Sequence, residues 1–136
     1  MANVVPTLGS ISLLSNPKDI IMYQLNFFAA VPKDMSNLFY NEIKSLPEIS
    51  SLYSHDKQLM RSYTQKALLE IFTRIFGNGS SSITVTTEDI DVTKYRLIIS
   101  VLVNQDGIVY SLTQDNVIDS EGRISTVEIE GNKTNG

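Results

Sequence analysis

The stretch from Ser54 to Gly77 constrains this chain more than any other, because it supplies the start, the apolar stripe and the stop of one long helix. Ser54 can accept a hydrogen bond from a free amide of the first turn, Asp56 complements the positive end of the helix dipole, and Gly77 can adopt the left-handed conformation that closes a helix. Leu59, Tyr63, Ala67, Ile71 and Ile75 recur every four residues, and Met60, Leu68 and Phe72 widen the stripe. Arg61, Gln65, Glu70 and Arg74 fall on the wetter side, with Glu70 four residues before Arg74 in the favourable order for an ion pair. Such a stripe must be buried against something. After Gly77 the period changes from helical to two, so the expected fold class is α+β: two to three N-terminal helices packed on a small, mainly antiparallel C-terminal sheet of three to four strands.

Ahead of this helix, residues 1 to 15 set Val4, Val5, Leu8, Ile11, Leu13 and Leu14 among Pro6, Gly9 and serines, too broken for a helix. They read as an extended arm, packed on its own domain or added to a neighbouring subunit's sheet edge. Asn16-Pro17-Lys18-Asp19 is a compact helix start, and the spacing of Ile20, Ile21, Leu25, Phe27, Phe28 and Val31 predicts a broadly buried helix to about Ala30, ended by Pro32. A shorter helix is expected from about Asn37 to Ser45, stopped by Pro47, followed by a loop over residues 47 to 54. Beyond the flexible composition of residues 77 to 82, a first strand is expected at 83–87, a polar turn from Glu88 to Thr93, and a central strand on which Tyr95, Leu97, Ile99, Val101 and Val103 alternate strictly. Asn104-Gln105-Asp106-Gly107 predicts a hairpin leading into Ile108, Tyr110 and Leu112. A polar turn from Asn116 to Gly122 and a weaker strand around Val127 and Ile129 complete a single domain, 16–131, with a disordered tail at 132–136.

The 136 residues suit one domain. Net charge is −4, from 11 basic and 15 acidic residues with the bases scattered, so nucleic acid is not an expected partner. There is no cysteine, which removes thiol catalysis and thiolate metal ligation. No apolar run approaches the ~20 residues of a membrane span, and the first residues do not resemble a cleaved signal, so a soluble protein with no membrane partner is expected.

Catalytic groupings are sparse. His55 is the only histidine and no serine sits in a nucleophile elbow; Ser54-His55-Asp56-Lys57 matches Ser-x-x-Lys without its companion motifs. Glu42, Glu48, Glu70 and Glu88 are the acids available for glycosidic chemistry, none in a distinctive motif. Asp89, Asp91 and the run from Asp115 to Glu121 offer oxygen ligands without the spacing of a calcium loop. Asn78-Gly79-Ser80 and Asn132-Lys133-Thr134 are glycosylation triplets that matter only on a secretory route. The reading is therefore a non-enzyme with no cofactor and no metal, carrying more apolar surface than a domain of this size needs to hide, as an assembly component does.

The order of parts resembles the sheath-initiator, or baseplate-wedge, family of contractile phage tails and related injection machines. Asn16-Pro17-Lys18-Asp19-Ile20-Ile21 is similar to the start of that family's first helix, Lys66 to Phe76 to the end of its second, and Ile83-Thr84-Val85 with Tyr95 to Val103 to its strand pair. Where the family carries Glu-Pro-Arg, this chain has Phe72-Thr73-Arg74-Ile75 without Glu-Pro, then an inserted Gly/Ser loop, and Arg74 is the candidate for the motif's arginine. The resemblance implies a structural virion protein, arranged as a ring-like homo-oligomer around the tail tube at the baseplate. It also implies partners among tail sheath, tube and baseplate proteins, with sheath arms adding as strands, and assembly in the host cytoplasm. Interface candidates are then Val4, Val5, Leu8, Ile11, Leu13, Arg74, Ile99 and Val101. Another tail-completion or neck protein, or a small ligand- or peptide-binding module, are the alternatives.

Overall fold

The computed structural model of the chain describes residues 5–6, 13–14, 16–32 and 43–135, with side chains over 16–32 and 43–126. Two short strands, β1 (Val5–Pro6) and β2 (Leu13–Leu14), pair antiparallel with Val5 opposite Leu14, so the backbone of the expected arm folds back on itself. Helix α1 (Pro17–Ala30) begins where the sequence places it: the Asn16 side chain accepts from the Lys18 amide at 2.9 Å, Pro17 occupies the first turn, and Asp19 complements the dipole. Val31 then turns extended (φ −65°, ψ 120°), the conformation that Pro32 imposes on the residue before it.

The middle of the chain departs from expectation. The short helix expected at 37–45 lies largely outside the described residues, and its last three positions, 43–45, are not helical. Pro47 starts a helix rather than stopping one: α2 (Leu46–Tyr53) occupies the segment expected as a loop. The reason is that proline's missing N–H has no helical partner in a first turn anyway, so an isolated proline marks a start as well as a stop. Ser54 closes α2 instead of opening the long helix, and Asp56 is the N-cap of α3 (Lys57–Phe76), accepting from the Leu59 amide at 3.1 Å.

The stripe of α3 is also rotated by one residue. Leu59 and Tyr63 are exposed, whereas Met60, Thr64, Ala67, Leu68, Ile71, Phe72 and Phe76 are buried. Two adjacent four-residue rows compete on this helix, and the row through Met60 and Leu68 looks interrupted in sequence because Thr64 lies within it. That threonine is fully buried, its hydroxyl without a partner among the described residues.

Four antiparallel strands follow in sequence order, β3 (Ser81–Asp91), β4 (Lys94–Gln105), β5 (Ile108–Asp119) and β6 (Ile124–Asn135). The helices and this sheet make an α+β fold with the described helices N-terminal to the sheet. Strands run further than expected, because the backbone of polar residues pairs as well as that of apolar ones. Only Val92 and Thr93 separate β3 from β4, β5 continues through Asn116, and β6 reaches Asn135, past the expected boundary at 131 and into the tail expected to be disordered. At the β4–β5 turn Asp106 (φ 55°) and Gly107 (φ 79°) both take positive φ, which is the two-residue turn whose twist suits a hairpin.

One face of the sheet is covered. Ile83 and Val85 of β3, Tyr95 to Val103 at alternate positions of β4, and Tyr110, Leu112 and Ile118 of β5 are buried with Ile20, Ile21, Leu25 and Phe28 of α1 and the inner side of α3. Helix α3 lies over β3, α1 over β5 and β6, and α2 touches both helices. The sheet end is fastened to α2 by polar contacts: the Ser50 hydroxyl donates to the Gly122 carbonyl at 2.6 Å, and the Tyr95 hydroxyl to the Ser54 carbonyl at 2.8 Å. A Cβ on Gly122 (φ +80°) would stand 3.1 Å from Ser54 Oγ and 3.3 Å from Ser50 O, so glycine is required there by contact as well as by conformation.

Beneath α1, the inward positions of β5 include two fully buried amides that hydrophobic patterning does not anticipate. Asn116 Nδ2 donates to Gln114 Oε1 at 3.0 Å, and the Thr126 hydroxyl donates to Asn116 Oδ1 at 2.9 Å beside a bulge in the β5–β6 pairing. Among the described residues Gln114 Nε2 has no partner.

Two stability measurements check this account. In chemical denaturation, Asn116→Leu is expected to cost about 1–3 kcal/mol because it strands the Gln114 amide, and the double change Gln114→Leu with Asn116→Leu is expected to cost less than that single change. Gly122→Ala is expected to lower the midpoint more than Gly79→Ala; Gly79 also has positive φ, but a Cβ there meets nothing within 4 Å.

Candidate functional site

Two surfaces qualify: a polar cleft at one end of the sheet, and the uncovered side and edge of the sheet itself. The cleft, of about 580 Å³, forms where the β3–β4 turn, the β5–β6 turn and the start of α3 converge. It gathers His55, Lys57, Asp89, Asp91, Lys94 and Asp119 around Tyr95, a concentration of titratable groups scattered over 65 positions of sequence.

Their hydrogen bonds show what each can do. Asp91 Oδ1 accepts from the Thr93 hydroxyl at 2.6 Å and the Thr93 amide at 2.7 Å, and these bonds, the hydroxyl foremost, hold its carboxyl below the usual range. Asp119 Oδ1 accepts from the amides of Arg123 and Glu121 at 2.9 Å each, with the same effect, the Arg123 amide leading. Both carboxylates are thus ionised and committed to their own turns. Asp89 is paired with Lys57, whose ammonium also lies 5.8 Å from the centre of the Tyr95 ring. Tyr95 is itself buried, and its phenol is pushed up to about 12 by burial first and then by the negative charge of Asp56. It is a fixed hydrogen-bond donor. His55 is exposed and lines the cleft together with Ser54, Thr93 and Ser120, so the arrangement offers several polar groups to a ligand.

The remaining acids are dispersed. Glu48 sits in the first turn of α2, Glu70 pairs with Arg74 at 3.4 Å on α3, Glu88 pairs with Arg96 at 3.7 Å across β3 and β4, and Glu42 lies outside the described residues. Among the described residues no group of three or more His, Cys, Asp or Glu is placed to hold a metal ion, and no helix is long and apolar enough to cross a membrane.

The second surface is the far side of the sheet. Across β3, β4 and β5 its rows are Ser82, Leu102 and Ser111; Thr84, Ser100 and Thr113; Thr86, Ile98 and Asp115; Glu88, Arg96 and Val117. Ser100 and Thr113 are linked through their hydroxyls at 3.4 Å, and Leu102 is 44% exposed. Among the described residues nothing pairs with the outer edge of β3, or with that of β6.

The interface candidates distribute unevenly over these surfaces. Ile99 and Val101 are 0% and 1% exposed within the chain's own core, which removes them as contact residues for a partner. Strict alternation identifies two faces but not which one the helices take, and here they take the Ile99 face. Ile98 and Leu102, on the other side, are the strand's outward apolar residues. Arg74 is half-exposed in the last turn of α3 and engaged with Glu70. Val5 and Leu13 are placed by backbone pairing alone, and Val4, Leu8 and Ile11 lie outside the described residues. Sequence reasoning placed Asp89, Asp91 and Asp119 in turns but missed the cleft, because only the pairing of the strands brings those turns together with the start of α3.

No protein-family model matches this chain, and no curated protein or solved structure matches it.

Since the folded state holds the Tyr95 proton more tightly than the unfolded chain, whose tyrosine titrates near 10, its contribution is complete below pH 10 and is lost as pH rises towards 12. The stability difference between wild type and Tyr95→Phe is therefore expected to shrink between pH 10 and 12, measured by denaturant titration at each pH.

Proposed function

We propose that this chain is a structural protein of a contractile phage tail, a baseplate sheath initiator that templates sheath assembly by accepting strands from neighbouring subunits. The observation that carries this reading is the outer edge of β3: eleven residues of extended chain, unpaired on one side among the described residues. Sheets usually blunt such an edge, because its free N–H and C=O groups are a template for another chain. An added strand gains affinity from main-chain hydrogen bonds and register from alternate side chains, so one edge specifies both where and in which phase a polymer starts. The order of helices and strands supports the same family, as does the confinement of the described helices to one side of the sheet. In this reading copies form a ring around the tail tube, and the protein resides in the virion after assembly in the host cytoplasm. A place elsewhere in the tail, in its neck or its completion, uses the same edge.

The cleft around Tyr95 favours a second reading, a module that binds a small polar ligand or a peptide as a stable monomer.

Electron microscopy of particles from a strain with this gene disrupted separates the two. Naked tubes or absent tails are expected; fully sheathed particles would refute the tail assignment. At the protein level, Thr84→Lys with Thr86→Lys is expected to leave folding within about 0.5 kcal/mol, since both residues are exposed, while abolishing assembly.

A further inference from the structure

The β3 edge also carries a description of the strand that fits it. Viewed down α3, successive residues turn by about 100°. Tyr63, Ala67 and Glu70 line the groove towards α2, and Met60, Leu68 and Phe72 are buried towards the sheet. Leu69 falls on the remaining flank. Because α3 lies over β3, the outermost strand, and α2 packs against its groove side, that flank is on the side of the β3 edge, which is unpaired among the described residues. Leu69 is 43% exposed there while Leu68 beside it is fully buried.

Charge is also asymmetric along β3. Its first seven residues, 81 to 87, are neutral and mostly hydroxylic, and its last four include Glu88, Asp89 and Asp91 with no base in the strand. Glu88 and Asp89 remain 62% and 69% exposed at their side chains, so their ion pairs within the chain leave them open to a further cation. A second copy of this chain matches poorly. Its net charge is −4, and the sheet's other edge strand, β6, has two acids, Glu128 and Glu130, against one base, Lys133.

We infer that the strand received at β3 comes from a different protein. It is an extended segment whose helix-side residues are apolar where they meet Leu69, and whose end level with Glu88 to Asp91 is basic. The inference rests on the strand-addition reading and names the chemistry of its partner. Opposite charges at that end fix the direction of the incoming strand, and the Leu69 contact fixes which of its faces turns towards the helices.

The test uses the full chain and short synthetic peptides of alternating valine and threonine, ending in two lysines or in two glutamates, with the charged pair at either terminus to cover both strand directions. Fluorescence anisotropy at low salt reads affinity, and amide hydrogen exchange over residues 81–91 reads where the peptide sits. One lysine-ended peptide is expected to bind at least about tenfold tighter than its glutamate counterpart and to protect the β3 amides. Leu69→Asn should weaken it several-fold, and Glu88→Gln with Asp89→Asn should erase the preference for lysine. Equal binding of lysine and glutamate peptides, protection elsewhere than β3, or an unchanged affinity in Leu69→Asn overturns the inference. So does concentration-dependent protection of β3 in the chain alone, which would make a second copy the occupant. These results are independent of the particle phenotype, so a failed peptide test with tails still missing in the disrupted strain refutes the partner chemistry and leaves the tail assignment standing.

Discussion

Five side chains on one strand hold this molecule together. Tyr95, Leu97, Ile99, Val101 and Val103 all project from β4 to the same side, and a continuous apolar face on an internal strand admits a single outcome, a layer of helices laid across it. Once that face is spent on α1 and α3, the opposite side of the same strand is left to water or to a partner. Its mixture of Ile98, Ser100 and Leu102 with flanking hydroxyls reflects that second role. The covered core and the open surface are thus two consequences of one alternation.

How much of this was readable depended on whether a residue had one physical meaning or two. Asn16 and Pro17 can hardly do anything but begin a helix, and Asp106-Gly107 can hardly do anything but turn a hairpin; both stand where patterning puts them. Pro47 had two meanings, because a proline is compatible with either side of a helix boundary. Thr64 also had two: a hydroxyl at a helical position reads as outward until packing buries it. Asn116 is the sharpest case. An asparagine after a polar run signals a turn, yet here its amide is satisfied by Gln114 and Thr126 inside the sheet, and only the register of β6 could have revealed that. The cleft was illegible for a related reason, since His55, Asp91 and Asp119 meet only once three turns are placed correctly.

The polar end of the molecule also distinguishes decoration from chemistry. Asp91 and Asp119 have the lowered pKa that draws attention to a carboxylate, but the cause is a set of hydrogen bonds from the next few residues of the same turn. Such acids stiffen the hairpin ends. Together with Ser50 and Tyr95 they tie the end of the sheet to α2, while among the described residues nothing pairs with the outer margins of β3 and β6.

The meander order of the strands bears on how the chain is born. Each strand pairs with its neighbour in sequence, so the sheet forms through short loops and can close quickly once synthesised. The helices cannot do the same. Ile20, Ile21, Leu25 and Phe28 must find β5, some eighty to a hundred residues later, and at about 5–20 residues per second the ribosome leaves that apolar surface uncovered for several seconds. During that interval the nascent chain is a natural client for a chaperone. A slow stage in producing this protein should therefore arise from its N-terminal half, although its sheet is the part with the longer strands.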